Sequence, residues 1–320
     1  MEKIGTPMLE SVLHTGISTF MKSPFVPPKA EELKKVGANV AYLGIPFEGC
    51  AVGIPGASFG PRMVRIGSDD IISYNYELDV DIADHFKIVD CGDVPVIPMD
   101  ITGSFKKIED TVAEIVGAGV FPIIIGGDHS ITLPAFKGFY RHTTGNVGLI
   151  HFDTHMDTSD TYGGMKISNC TQITRIAEME RVNPKNIVQI GIRNHLNPKS
   201  ERLMGEKLGI KVFPIWEIFK RGIEPVMKEA VEIVKDGTDA IYITLDIDVL
   251  DAAYAPATSV PTPGGLTSRQ LIEAVRIAAK AGVDAFDLVE VSGPQQDPNF
   301  ITGRTAATII AELLAAKALK

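Results

Sequence analysis

The sequence predicts an α/β protein: a single three-layer α/β/α domain around a central parallel sheet. Three observations predict it. Short, nearly continuous apolar runs recur along the chain, as parallel strands covered on both faces require. Helical patterns of roughly ten to fifteen residues separate these runs. No linker, repeat or low-complexity tract interrupts the alternation over 320 residues, a length that can bury one large core. Residues 1–320 are therefore read as one domain, with 1–35 as an amino-terminal extension packing on it.

In chain order, strands are expected at 39–46 (NVAYLGIP), 120–125 (VFPIII), 147–152 (VGLIHF), 187–192 (IVQIGI), 240–247 (AIYITLDI) and 285–291 (AFDLVEV). Helices are expected at 108–118, 131–142, 201–208, 223–235, 268–281 and 305–318. Ligands of such sheets bind beyond the carboxyl ends of the strands. Those ends are rich in Asp and His here.

Composition excludes several classes. The net charge is −9, with no block of Lys or Arg and no aromatic–basic interleaving, so nucleic acid is a poor partner. An acidic surface favours a small cationic substrate. No apolar run is long enough for a membrane span, and the amino terminus lacks a basic-then-apolar signal pattern. The three cysteines (Cys50, Cys91 and Cys170) form no CxxC pair, which argues against a disulfide scaffold or a zinc knuckle and for a reducing cytoplasm.

Three strand ends carry the chemistry. IIIGGDHS presents Asp128 and His129, HFDTHMDT presents Asp153, His155 and Asp157, and TLDIDVLD presents Asp246, Asp248 and Asp251. Residues two apart on a strand point to one side, so each Asp/His set is expected to converge. Taken alone, Asp128 or Asp251 reads as a cap or turn residue, and a single strand-end His as a satisfied core group. Together, four carboxylates crowded at a buried sheet edge would repel strongly. A pair of divalent cations resolves that conflict, and imidazoles add neutral ligands. Two such ions about 3.5–4 Å apart can share a water and lower its pKa toward neutrality.

At these residues the sequence resembles the ureohydrolase family of arginases, agmatinases and guanidinobutyrases, most closely its agmatinase-like branch. GISTFMKSP, GASFGPRMVR (56–65), GGDHS, HFDTHMDT, VQIGIR, TLDIDVLDAAYAPATSVPTPGGLTSR and DLVEVSGP follow one another in the family's order. The resemblance implies an arginase-like version of the fold and a hydrolase acting on linear amidines. It implies one metal held by His129, Asp153, Asp157 and Asp246. The second would be held by Asp153, His155, Asp246 and Asp248, with Asp153 and Asp246 bridging. Mn²⁺ is the usual family pair, and Ni²⁺ serves some relatives that act on guanidine. The resemblance further implies that a shared hydroxide attacks the guanidinium carbon, that Asp248 relays the proton, and that Glu290 contacts the guanidinium. The alternative for Glu290 is a charged group capping a strand. A homo-oligomer, trimeric or hexameric, is also implied.

Three departures fall on the substrate pocket. The family's His-Gly-Thr reads Asn169-Cys170-Thr171, so the titratable group is lost and the site is narrowed. The Arg usually found before Pro-Gly-Ala is Ile54, near the expected entrance. GIRN followed by His195 replaces GIRG, and His195 either approaches the substrate or only closes a loop. These changes disfavour an arginine α-carboxylate site and weaken the case for agmatine. The expected substrate is a small guanidino compound: guanidine, an alkylguanidine or a biguanide. The alternatives are a conventional agmatinase or guanidinobutyrase, an inactive metal-binding subunit of a hetero-oligomeric hydrolase, and a deacetylase, which would need only one metal.

Overall fold

Each of the six runs expected as strands contains a strand, and each of those strands is buried at every residue in the computed structural model, which describes residues 15–320. In chain order the strands are β1 (Val40–Ile45), β2 (Tyr74–Asn75), β3 (Val80–Asp81), β4 (Ile88–Asp93), β5 (Phe121–Gly126), β6 (Val147–Phe152), β7 (Ile187–Ile190), β8 (Lys211–Phe213), β9 (Ala240–Asp246) and β10 (Ala285–Val289). β2 and β3 make a small antiparallel pair. The other eight form one sheet of order β4-β1-β5-β10-β9-β6-β7-β8, with every neighbouring pair parallel. Alternate residues serve opposite faces. Ile123 and Ile125 enter one apolar core and Ile124 the other, each core closed by helices.

The helices Ile223–Lys235 and Ser268–Ala281 begin and end where expected. The second starts at a reciprocal cap, in which Thr267 and Gln270 satisfy each other's backbone. Ile101–Gly117 and Ile301–Ala318 begin earlier than expected. Both edges of the sheet escaped the sequence reading, for a physical reason. β4 (IVDCGD) is half polar and β8 is three residues long, because an edge strand needs less apolar cover than a central one.

Residues 1–14 lie outside the described residues, together with the start of the expected 1–35 extension and the segment read as lacking a signal. Further along, the extension is held by Asp90 on β4. Its carboxylate accepts from the Phe20 backbone N–H at 2.9 Å and from Arg65 Nε at 2.8 Å. Arg65 also donates to Asp93 at 2.7 Å and lies over the Tyr42 ring. Phe20 and Met21 are fully buried beside this pair. Removing one partner of a buried ion pair strands the other charge. Asp90→Ala is therefore expected to cost about 3–5 kcal/mol in urea unfolding, with the midpoint falling and the slope kept.

The four strands at the centre of the sheet are β5, β10, β9 and β6. Their carboxyl ends open side by side.

Candidate metal centre and substrate cavity

The chain leaves β5 through Gly126-Gly127, and Gly127 packs so tightly on the Phe47 backbone that no side chain fits there. Asp128 then caps a short turn. Its Oδ1 accepts from the Ser130 N–H and its Oδ2 from the Cys50 N–H, each at 2.9 Å. Asp128 is thus the cap it resembles in isolation, and it orients His129 without joining the cluster. Asp251 is likewise a turn residue, accepting from the N–H groups of Ala253, Gly264 and Gly265.

The Asp/His residues after β6 and β9 converge, but not by strand pleating. β6 ends at Phe152, and the 153–157 segment turns through Asp157 at φ 53°. β9 ends at Asp246, which caps the short turn Ile247–Val249 by accepting from the Asp248 N–H at 2.8 Å. Turns bend the carboxylates inward where an extended strand would carry them past the edge.

His129 Nδ1 lies 3.1 Å from Asp153 Oδ2, 3.3 Å from Asp157 Oδ2 and 3.3 Å from Asp246 Oδ2. His155 Nδ1 lies 3.3 Å from Asp153 Oδ1 and 3.2 Å from Asp248 Oδ2. The two oxygens of Asp153 are therefore divided between two ligand sets. Thr244 Oγ1 donates to Asp287 at 2.7 Å and accepts from His129 Nε2 at 2.9 Å. A neutral ring so held turns its Nδ1, buried and with no hydrogen bond of good geometry among the described residues, toward three carboxylate oxygens. Without a cation, the lowering effect of burial is outweighed by Asp153 and Asp246, which raise the ring above the usual imidazole range. An array of acceptors facing one another fits a cation between them. The charge and the mixed O/N donors suit two divalent ions.

The pKa shifts express the same conflict. Burial, and then the charge of Asp153, raise Asp157 well above the carboxylate range, and burial with Asp248 and Asp153 does the same to Asp246. Burial also acts on Asp153, yet His151, His129 and His155 hold it low. His151 was absent from the sequence reading. It lies inside β6, its Nε2 2.8 Å from Asp153 Oδ2, and burial keeps it below the usual imidazole range.

Above the cluster opens a cavity of about 440 Å³. Glu290 forms one wall, turned inward by a left-handed backbone at φ 66° just past β10. It accepts from the His129 N–H at 2.9 Å, from the Ser259 hydroxyl at 2.6 Å and from the Asn169 amide at 3.4 Å. Burial, with Asp128 adding, pushes it up to about 7. Asn169, Cys170 and His195 also line the cavity. The Cys170 thiol is raised by burial and by Asp157 and Glu201, which disfavours a nucleophilic thiolate. Ile54 departs from expectation. It does not line the cavity; its side chain is 54% exposed, its backbone N–H is tied to the Ser259 carbonyl, and Val52 supplies the apolar wall instead. Glu201, overlooked in the sequence, lines the cavity and accepts from the Ser159 hydroxyl at 2.5 Å. An acidic residue in the first turn of a helix looks ordinary in sequence, and only the fold turns it inward.

The arginase family's sequence profile matches residues 38–316. The chain belongs to the arginase family. It is 35% identical over 301 residues to a guanidinopropionase of Pseudomonas aeruginosa, which covers 93% of this chain and 91% of that protein. It is 34% identical over 279 residues to an agmatinase of Bacillus subtilis, covering 87% and 91%. The solved proclavaminate amidino hydrolase of Streptomyces clavuligerus superposes with a TM-score of 0.88 at 31% identity, covering 96% of this chain and 99% of that one. This arginase-family chain is thus an amidinohydrolase with the arginase fold, acting on guanidino compounds. Among the described residues, no helix is long and apolar enough to cross a membrane.

Glu290 and Asp128, raised to about 7 and about 6, keep protons in the folded chain that the unfolded chain has already lost. The metal-free protein therefore loses stability as pH rises through that window, whereas bound cations require the ionised carboxylates. Adding Mn²⁺ to chelated protein is expected to raise the melting temperature more at about pH 8 than at about pH 5. Equal gains at both values would count against a cation site.

Proposed function

We propose that this enzyme hydrolyses a guanidino compound lacking a carboxylate, such as guanidine, an alkylguanidine or a biguanide, and releases urea. One observation carries the reading: among the described residues, no Lys or Arg lines the cavity, while Glu290 and Glu201 both do. A substrate carboxylate would have to be desolvated there without a fixed cationic partner. A guanidinium instead meets Glu290 in the paired geometry that favours carboxylates.

Two divalent ions held by His129, Asp153, His155, Asp157, Asp246 and Asp248 would supply Lewis acidity and a hydroxide near neutral pH. Mn²⁺ is the first expectation and Ni²⁺ the alternative. The protein's own part is positional and acid–base. Glu290 holds the planar guanidinium, and Ser259 and the His129 N–H hold Glu290. Asp248, steadied by the Thr154 N–H at 3.1 Å, takes the proton that an attacking water must lose and passes it to the departing nitrogen. Water adds to the guanidinium carbon, the C–N bond breaks, and urea leaves with an amine or ammonia, or with a guanidine when the terminal carbon of a biguanide is attacked. Asn169 cannot titrate, so it contributes a hydrogen bond to Glu290 and no proton transfer.

Agmatine is the second reading, favoured by Glu201, whose buried carboxylate can receive a terminal ammonium. The test loads the purified chain separately with Mn²⁺ and Ni²⁺ and measures urea from guanidine, methylguanidine, dimethylguanidine, metformin, guanidinobutyrate, agmatine and arginine. Turnover confined to compounds without a carboxylate is expected. Preference for agmatine would establish the second reading over the first, preference for guanidinobutyrate or arginine would overturn both, and silence with both metals would favour an inactive metal-binding subunit. Two substitutions sharpen the result. Glu290→Gln is expected to cost about 2–5 kcal/mol in kcat/KM on every substrate. Glu201→Gln is expected to raise KM for agmatine while leaving guanidine nearly unchanged.

A further inference from the structure

We infer that Gln189 and His151 position the carboxylate shared by the two metal places, with Gln189 holding His151 as a hydrogen-bond donor to Asp153 and barring it from the metal. The inference rests on the two-cation reading above.

Two imidazoles approach the same position. His129 and His151 lie with ring centroids 5.1 Å apart, and the ligand atoms of both fall within 4.8 Å of those of Asp153 and Asp157. Distance alone does not say which ring is a ligand; the protons do. Gln189, on the neighbouring strand β7, has its amide nitrogen 2.6 Å from the Met156 carbonyl and 3.0 Å from His151 Nδ1. A carbonyl cannot face the amide oxygen at that distance, so the nitrogen is fixed there and donates to both. His151 Nδ1 must then accept, and its proton sits on Nε2, 2.8 Å from Asp153 Oδ2. A ring whose Nε2 carries a proton directed at a carboxylate has no lone pair for a metal. His129 shows the reverse arrangement, with Nε2 engaged by Thr244 and Nδ1 free.

The consequence falls on Asp153. Its Oδ2 is held by His151 and its Oδ1 by the His155 backbone N–H at 2.5 Å. These two donors, on opposite oxygens, fix the carboxylate rotation that presents one oxygen to each ligand set. Gln189 holds this geometry although its own Oε1 is buried with no hydrogen-bond partner among the described residues. An unmade hydrogen bond is costly, which fits a side chain kept for what its nitrogen does.

The first test reads protons without activity. Full-length protein labelled with ¹⁵N-histidine is compared by long-range ¹H–¹⁵N spectra in metal-free and Zn²⁺-loaded forms, with the His151→Gln variant identifying the His151 signals. A protonated Nε2 on His151 in both forms is expected. A protonated Nδ1, or an Nε2 that shifts as a ligand on loading, would overturn the inference. The second test titrates Mn²⁺ into metal-free wild type, His151→Gln and His151→Leu, checking the fold of each by circular dichroism. Losing an outer-shell donor weakens metal binding by about 10–100-fold. That loss is expected for His151→Leu, which has no donor, but not for His151→Gln, which keeps an N–H. Equal weakening of the Leu and Gln variants would reduce His151 to packing and overturn the inference. Wild type binding fewer than two Mn²⁺ per chain would instead overturn the two-cation reading, with the spectra still reporting the tautomer.

Discussion

Carboxylates gathered inside a protein must be neutralised, and in this chain that requirement organises everything around the sheet's carboxyl edge. Asp153, Asp157, Asp246 and Asp248 are buried within a few ångströms of two imidazoles. Their repulsion can be met by protons or by cations. The Thr244–Asp287 chain holds His129 with Nδ1 turned toward the carboxylates, an arrangement that suits cations. The surrounding groups are then understandable as devices that hold each ligand at one rotation and in one protonation state. Asp128 orients the His129 turn, Asp246 caps the turn that carries Asp248, and Asp153 is gripped from both sides.

The second constraint is shape. Beyond the metal-centre residues at its floor, the cavity is walled by Glu201 and Glu290 and by apolar side chains such as Val52, Leu196 and Val260. Its charge suits a cation at Glu290, and among the described residues no Lys or Arg lines it, which is why a substrate without a carboxylate is proposed. Positively charged substrates need no counter-charge from solvent in such a site, whereas guanidino acids do. The family sets the reaction, and the wall residues decide the molecule.

How much of this could be read in the sequence follows from how local each signal is. The central strands were legible because burial on both faces demands continuous apolar runs. The six ligand candidates were legible because Asp and His crowd three strand ends. The turns that aim them were not, since a left-handed Asp157 looks like any other residue in a DxHxD string. His151 reads as a core histidine within VGLIHF, and its role depends on Gln189, which is distant in the chain and adjacent only across the β6–β7 pairing. Glu201 is hidden in the same way by its place in a helix. Ile54, expected near the entrance, stands outside the cavity lining, and its neighbour Val52 supplies the apolar wall.

The strand order has a bearing on how the molecule is made. β10, almost the last element in the chain, occupies the middle of the sheet between β5 and β9. Until it inserts, the half bearing His129 and the half bearing Asp153 and Asp246 have no common edge. A nascent chain emerging amino terminus first therefore holds two unjoined half-sheets between the completion of β9 and the arrival of β10, each with an open apolar flank. Assembly of non-local parallel pairs is intrinsically slow and prone to association. Any shortening of the chain before β10 removes the seam that joins the two halves.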